Sequence, residues 1–178
     1  THRLTDYQRC LNAYPAESRL VYASKALCNV AMLQLAQRGG AWIDVVSGGE
    51  LFTAFKAGIP GERIIFHGNN KSDKELSEAI LYGVDRIVVD SLDEIKRLQA
   101  LCNQFQMEAR LLLRVVPGIE AHTHDYIKTG QRDSKFGIPA EGVMEAVSAI
   151  VHHGQLRLCG LHAHIGSQIF DCEPLARC

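Results

Sequence analysis

The residues of this sequence best suited to chemistry are a lysine, two histidines and a Gly-Ser step, each placed at the end of a short apolar run. Lys25 follows the run 20–23. A lysine amine at the carboxyl end of a parallel strand can form an imine with an aldehyde cofactor if its neighbours partly desolvate it. Side chains alternate along a strand, so Ala23 and Lys25 are expected to share a face. Most lysines at strand ends are solvated surface charges, so this interpretation depends on the other candidate residues.

Two histidines end the last apolar run of the chain. His162 and His164 would share one strand face, and two histidines at this spacing can bind zinc, but the sequence offers no convincing third ligand. A neutral imidazole can instead lie flat on an aromatic ring. Gly166 and Ser167 follow directly, and their backbone N–H groups and the serine hydroxyl could hold a phosphate. Without the histidines, a simple turn would be the preferred interpretation.

Two charged residues fall within predicted strands, where an unpaired charge is costly to bury. Arg114 should therefore face an anion or a phenolic oxygen. Asp44 poses the same problem with the opposite sign, although an aspartate that only caps a turn explains it equally well. The segment 67–71 could be a polar loop with Asn in left-handed turns. A lysine, a stacking histidine, a phosphate-holding Gly-Ser step and a buried arginine together indicate a pyridoxal phosphate site, rather than a catalytic triad or a metal site.

The composition is that of an ordinary globular protein, with 47% hydrophobic and 22% charged residues and a formal net charge of −1. The basic residues are scattered, which argues against nucleic acid or an anionic membrane as a partner. No apolar run approaches the roughly 20 residues of a membrane helix, and no signal-peptide pattern opens the chain. Six cysteines without paired spacing are typical of reduced thiols in a cytoplasmic protein.

Short apolar runs alternate with helix-length amphipathic segments, which predicts an α/β fold with a parallel sheet. A doubly wound sheet and a (β/α)8 barrel both fit this alternation. No Gly-x-Gly-x-x-Gly follows the first strand, which weighs against a Rossmann nucleotide site. A barrel needs eight strands and typically about 250 residues, so the pattern predicts an incomplete barrel in one domain, residues 1–178. The predicted strands are 20–23, 42–46, 63–67, 86–89, 110–116 and 156–164, and capping boxes are predicted at Ser47-x-x-Glu50, Ser72-x-x-Glu75 and Ser91-x-x-Glu94.

The incomplete barrel has two further consequences. Segment 117–138 is too long for a bare connection and is expected to be a lid over an active site at the carboxyl ends of the strands. The first and sixth strands would present unpaired edges, so the chain is expected to associate in solution unless something covers them.

Seven motifs, in order and spacing, resemble the barrel domain of diaminopimelate decarboxylases. These form a branch of the pyridoxal phosphate enzymes built on an alanine-racemase-like barrel and a C-terminal β domain. The resemblance extends from about Leu4 to Asp171. The motifs are Tyr22-Ala23-Ser24-Lys25-Ala26, Asp44-Val45-Val46-Ser47-Gly48-Gly49-Glu50-Leu51, His67-Gly68-Asn69-Asn70-Lys71, Arg114-Val115-Val116-Pro117-Gly118, His124-Asp125-Tyr126-Ile127-x-Thr129-Gly130, Ser134-Lys135-Phe136-Gly137 and Gly160-Leu161-His162-Ala163-His164-Ile165-Gly166-Ser167-Gln168.

The resemblance implies a role for each candidate residue. Lys25 would carry pyridoxal 5'-phosphate as an imine, His164 would stack on the pyridine ring, and Ser167 would bind the phosphate. Arg114 would contact the phenolic oxygen of the ring, and Asp44 would lie near the lysine and the ring. The implied reaction removes the carboxylate at the D-configured centre of meso-diaminopimelate, giving L-lysine and carbon dioxide, as in lysine biosynthesis.

The sequence departs from the family pattern in two respects. Val116 stands where Asn is common. The family's Gly-rich phosphate loop, its Glu-Pro-Gly-Arg stretch, its catalytic Cys and Tyr, the Glu that pairs with the pyridine nitrogen and the C-terminal β domain have no counterpart in these residues. The family completes its site from these parts across a dimer interface. The expectation is therefore a fragment that is inactive alone, and a homodimer for the full-length protein.

Two alternatives remain open on the sequence. The first is another pyridoxal phosphate enzyme of the same branch, such as an ornithine/arginine-type or carboxynorspermidine decarboxylase or an alanine racemase. Segments 124–137 and 160–168 favour diaminopimelate over these. The second is a non-catalytic cofactor-binding or inhibitor-like homologue that acts through protein contact, and the retention of Lys25 and His164 argues against it.

Overall fold

The structure is a computed structural model that describes residues 2–117, 136–166 and 173. The chain divides into two compact units, Thr1–Ile87 and Val88–Cys178. The expectation of a single domain over residues 1–178 stays a prediction. No helix formed by the described residues is both long and apolar enough to cross a membrane.

The alternation of strands and helices predicted from the sequence is confirmed, with strand ends that differ by at most two residues. The strands belong to one six-stranded sheet in the order β1 to β6, and the pairs β1–β2, β2–β3, β3–β4 and β5–β6 are parallel. The elements are α1 (His2–Asn12), β1 (Val21–Ala23), α2 (Val30–Arg38), β2 (Trp42–Val45), α3 (Gly48–Lys56), β3 (Ile64–Phe66), α4 (Asp73–Tyr82), β4 (Arg86–Val89), α5 (Leu92–Phe105), β5 (Ala109–Arg114), α6 (Ala140–Val151) and β6 (Leu156–His162).

The strands supply half of the twelve largest fully buried side chains among the described residues. In the first unit Ile43, Ile64 and Phe66 are fully buried, and in the second unit Leu111 and Leu113 are fully buried. Such continuous apolar strands are typical of parallel sheets covered on both faces. The predicted α/β class with a parallel sheet is therefore confirmed.

The three predicted capping boxes form only in part. Each serine accepts a hydrogen bond from the backbone N–H of the glutamate three residues later, as predicted. Only Ser72 and Glu75 complete the reciprocal box. The Glu50 carboxylate instead accepts the backbone N–H of Val46, and the Glu94 carboxylate accepts that of Asp90. At these two helix starts the glutamate thus reaches one residue further back, to the end of the preceding strand.

Most of the predicted lid, residues 118–135, lies outside the described residues, but its two flanks are paired. The Ile138 N–H donates to the Arg114 carbonyl at 2.9 Å, and the Val116 N–H donates to the Ile138 carbonyl at 3.1 Å. Val115 and Ile138 form a parallel bridge. Ile138 therefore lies beside the residues that end β5 and directly follow it.

Glu75 joins the first turns of α3 and α4. One carboxylate oxygen accepts the Gly48 N–H at 2.7 Å, and the other accepts the Ser72 N–H and hydroxyl at 2.8 Å each. The backbone hydrogen bonds from Ser72 and Gly48 lower the pKa of Glu75 below its ordinary value of 4.5, and partial burial opposes them. The ionised carboxylate therefore stabilises the folded state.

We expect Glu75→Gln to lower the free energy of unfolding by about 1 kcal/mol at neutral pH, because an amide nitrogen cannot accept the Ser72 hydrogen bonds. Since the folded-state pKa is lowered, this stabilisation is complete above the ordinary pKa of 4.5 and is lost as the pH falls below it. Urea unfolding at pH 7, 5, 4 and 3.5 should show the difference shrinking only at the two lowest values. Glu78→Gln, whose exposed carboxylate lies 3.9 Å from Lys74, should have little effect. A difference that is constant with pH would contradict the assignment.

Candidate active site

Lys25 lies in a 3-10 turn, Ser24–Ala26, directly after β1. Since β1 ends at Ala23, strand alternation does not extend to Lys25. The prediction that Ala23 and Lys25 share a strand face therefore does not hold. The turn occurs because Leu27 N–H bonds to the Ser24 carbonyl at 3.0 Å. Lys25 is exposed, so the described residues leave its amine accessible to a ligand.

The residue before the lysine anchors this turn. Ser24 is fully buried, and its hydroxyl lies 2.7 Å from the Asp44 carbonyl oxygen and 2.6 Å from a carboxylate oxygen of Glu50. The same Glu50 oxygen accepts the Val46 N–H at 2.8 Å. Glu50 therefore ties the turn that carries Lys25 to the end of β2. No functional role for Glu50 was predicted from the sequence, because its motif indicates only a helix start.

Asp44 lies within β2, opposite Ala23 in the register of β1 and β2. Its carboxylate is 3.5 Å from Nδ1 of His67, and both side chains are largely buried. The alternative that Asp44 only caps a turn is therefore wrong, since it occupies a strand position. His67 follows β3, and its N–H donates to the Val45 carbonyl at 2.7 Å. The prediction of left-handed asparagines in this loop is wrong, since neither Asn69 nor Asn70 has a positive φ, whereas Gly68 has φ +113°.

In the second unit, Arg114 ends β5 and is 7% exposed. Nη1 of its guanidinium lies 3.4 Å from Oδ1 of Asp90, its polar side-chain partner among the described residues. The guanidinium carbon is 4.8 Å from the centre of the Phe136 ring. Burial lowers the pKa of Arg114, and the charge of Asp90 opposes that shift. The expected anion beside Arg114 is thus a carboxylate of the chain itself, and further N–H donors remain for a second acceptor.

His164 lies two residues beyond the end of β6 at His162, so strand alternation does not relate the two histidines. Nδ1 of His164 accepts the Gly166 N–H at 3.0 Å. This hydrogen bond places the proton of a neutral His164 ring on Nε2. It also occupies the Gly166 N–H that was predicted to hold a phosphate, while φ +136° at Gly166 favours glycine. Ser167 lies outside the described residues.

A cavity of about 660 Å³ lies between α3 and α4 in the first unit, lined by Phe52, Phe55 and Tyr82 among others. Neither Lys25 nor Asp44 lines it, so it is not the predicted site. Among the described residues, no group of three or more His, Cys, Asp or Glu side chains is arranged to hold a metal ion.

The first unit contains Lys25 and Asp44, and the second contains Arg114 and His164. In the first unit the structure brings Lys25 next to the Ser24–Glu50 contact at the end of β2, with Asp44 in the neighbouring strand. In the second unit Arg114 is paired with Asp90 and has N–H donors to spare. An exposed amine can form an imine with an aldehyde, and a buried guanidinium can bind an anionic oxygen, so each group suits one part of a ligand such as pyridoxal phosphate.

We expect Ser24→Ala to lower the free energy of unfolding by about 1–3 kcal/mol, because it removes a donor from the part-buried Glu50 carboxylate. Ser77→Ala is the matched control, since the exposed Ser77 hydroxyl bonds only to the Asp73 carbonyl within α4. It should change stability by less than about 0.5 kcal/mol. Denaturant unfolding of both variants makes the comparison. Equal small effects would show that the Ser24 contact does not anchor the turn.

Known proteins resemble this chain over nearly all of its length. Diaminopimelate decarboxylase from Bacillus subtilis is 47% identical over 171 residues, which cover 95% of this chain and 39% of that protein. The enzyme from Mycobacterium tuberculosis is 43% identical over 163 residues, covering 90% of this chain and 36% of that protein. The chain therefore spans about 40% of the length of these relatives.

Solved structures give the same result. Diaminopimelate decarboxylase from Helicobacter pylori, complexed with L-lysine, has a TM-score of 0.90 at 32% identity, covering 98% of this chain and 45% of that one. The model of the pyridoxal-dependent decarboxylase family, pyridoxal binding domain, matches residues 2–178. The chain therefore belongs to the pyridoxal-dependent decarboxylases, as their pyridoxal binding domain.

Proposed function

We propose that the protein carrying this chain is a pyridoxal phosphate-dependent decarboxylase that converts meso-diaminopimelate to L-lysine and carbon dioxide. The observation that carries the proposal is the exposed Lys25 at the end of β1, in a chain 47% identical to a diaminopimelate decarboxylase. Because the chain covers less than half of such relatives, the activity is proposed for the complete protein. Lysine bound in the Helicobacter pylori structure supports the proposed product.

Four residues of the first unit and Arg114 of the second would have separate roles in the proposed reaction. The cofactor supplies an electron sink for the pair left by the departing carboxylate. Lys25 would hold the cofactor covalently through its amine, with Ser24 and Glu50 fixing the turn. Arg114 would donate hydrogen bonds to the phenolic oxygen, and Asp44 would lie near the lysine.

The second unit would supply the remaining contacts. His164 would stack on the ring, with its orientation set by the bond from Gly166 to Nδ1. Ser167 would bind the phosphate through its hydroxyl, and Gly166 could add its N–H only after giving up the bond to His164.

The proposal includes the compartment, the oligomeric state and the partners of the enzyme. We place it in the cytoplasm, as a homodimer with a small-molecule substrate and no nucleic acid or membrane partner. Free cysteines at positions 10, 28, 102 and 159 support a reducing compartment. The balanced net charge of −1 supports the absence of a polyanionic partner.

The cofactor assignment is tested by borohydride reduction of the chain with pyridoxal phosphate, followed by peptide mapping. We expect the stable adduct on Lys25 and its loss in Lys25→Ala. Lys56 and Lys74 are exposed lysines of the same unit and serve as controls for non-specific labelling. An adduct spread equally over these three lysines would contradict the role of Lys25.

The substrate is tested on the complete protein by measuring carbon dioxide and L-lysine released from meso-diaminopimelate. L-ornithine, L-arginine and L-alanine are the comparison substrates. Preferential turnover of one of these would assign the protein to another branch of the family. A Lys25 adduct without turnover of any of them would support the non-catalytic alternative.

A further inference from the structure

The carboxylate of Asp90 forms an ion pair with Arg114, and the proposed function assigns Asp90 no contact with the cofactor. We propose that Asp90 is a positioning residue of the cofactor site. It fixes the guanidinium of Arg114 so that the remaining N–H groups are held for the phenolic oxygen of the bound cofactor, and Phe136 restricts the plane of the same group. This inference rests on the proposed function, because that function assigns Arg114 to pyridoxal phosphate.

Asp90 is itself held firmly. It directly follows β4 and is 8% exposed. Its backbone N–H donates to the Glu94 carboxylate at 3.0 Å, and Ser91 caps the first turn of α5 by accepting the Glu94 N–H. Glu94 is 2% exposed. The carboxylate of Asp90 is therefore presented from a backbone that hydrogen bonds fix on both sides.

The main chain and aliphatic stem of Arg114 are confined as well. Arg114 is paired with His162 in the register of β5 and β6, and its carbonyl accepts the Ile138 N–H at 2.9 Å. Gly137 has φ +84°, and a Cβ added there would lie 3.2 Å from Cγ of Arg114. A side chain at position 137 would therefore crowd the stem of Arg114, and glycine leaves room for it.

Within residues 2–117 and 136–166, the contact with Asp90 leaves the guanidinium incompletely satisfied. A guanidinium has five N–H donors, and its pair with Asp90 is a single ion-pair approach of 3.4 Å between Nη1 and Oδ1, without the geometry of a hydrogen bond. The ring of Phe136 lies 4.8 Å from the guanidinium carbon and takes no conventional hydrogen bond. Asp90 therefore sets the direction of the group without consuming its capacity for an anionic oxygen.

The positioning is tested first on the 178-residue chain without cofactor, by nitrogen-15 NMR of the Arg114 Nε–H group, assigned from its loss in Arg114→Lys. In Asp90→Asn we expect hydrogen exchange of this group to accelerate about ten-fold or more, because the buried ion pair that holds the guanidinium is removed. Asp90→Glu should restore part of the protection. Asp93→Asn is the matched control, since that exposed carboxylate of α5 pairs with Arg97.

Unchanged exchange in Asp90→Asn would overturn the positioning role. If Asp90→Asn does not fold, Phe136→Leu supplies the second variant, because it removes the stacked ring and keeps the charge pair. We expect faster exchange of the Arg114 Nε–H group in this variant too. Unchanged exchange there would likewise count against the proposed restriction of the guanidinium.

The link to the cofactor is tested in the complete protein by a double-mutant cycle on the dissociation constant of pyridoxal phosphate, followed by visible absorbance. We expect Asp90→Asn to weaken binding about ten-fold when Arg114 is present, and less than about two-fold in an Arg114→Gln background. Equal losses in the two backgrounds would mean that Asp90 acts on stability alone. Absence of a bound-cofactor spectrum in the unsubstituted complete protein would instead count against the proposed function, and the cofactor-free NMR comparison would then decide the role of Asp90.

Discussion

In both units a glutamate in the first turn of a helix reaches back to the strand before it, and the candidate site depends on this contact. Glu50 accepts the Val46 N–H at 2.8 Å, and Glu94 accepts the Asp90 N–H at 3.0 Å. A buried backbone N–H without a partner costs about 1–3 kcal/mol, and a carboxylate in the first turn also interacts favourably with the helix dipole. One side chain thus fixes the end of the strand, the start of the helix and the loop between them.

The two glutamates hold groups of opposite charge in place. Glu50 also takes the Ser24 hydroxyl at 2.6 Å, so it fixes the turn that carries a cationic amine. Glu94 fixes the backbone of Asp90, so it holds an anion beside a guanidinium. Because each glutamate bonds to a backbone N–H, the side chain of the residue after the strand remains available for contacts with other groups. This is why strand ends of an α/β protein can change chemistry without changing the fold.

Apart from α1, which was not predicted, the elements of the fold were predictable from the sequence, whereas the contacts around the site were not. Buried parallel strands are continuous apolar runs, so each strand was found within two residues. Alternation failed at Lys25 and His164, because the chain leaves the strand conformation at Ala23 and at His162. The partners Glu50, His67 and Asp90 lie about 20 or more residues from Ser24, Asp44 and Arg114. Pairing over such separations has no local signal, and the Ser-x-x-Glu motif predicts only the helix start.

Because Arg114 is buried, an anionic ligand would interact with it more strongly than with a surface arginine. Removing one partner of a buried ion pair typically costs about 3–5 kcal/mol, so Asp90 is needed to keep the guanidinium where it is. A single contact at 3.4 Å nevertheless leaves the group short of acceptors, and burial lowers its pKa in spite of Asp90. A second, anionic acceptor would supply the missing hydrogen bond and would also oppose the lowering of the pKa. Because charges interact more strongly where water is excluded, the surroundings that make Arg114 costly to bury also favour its binding of an anionic oxygen.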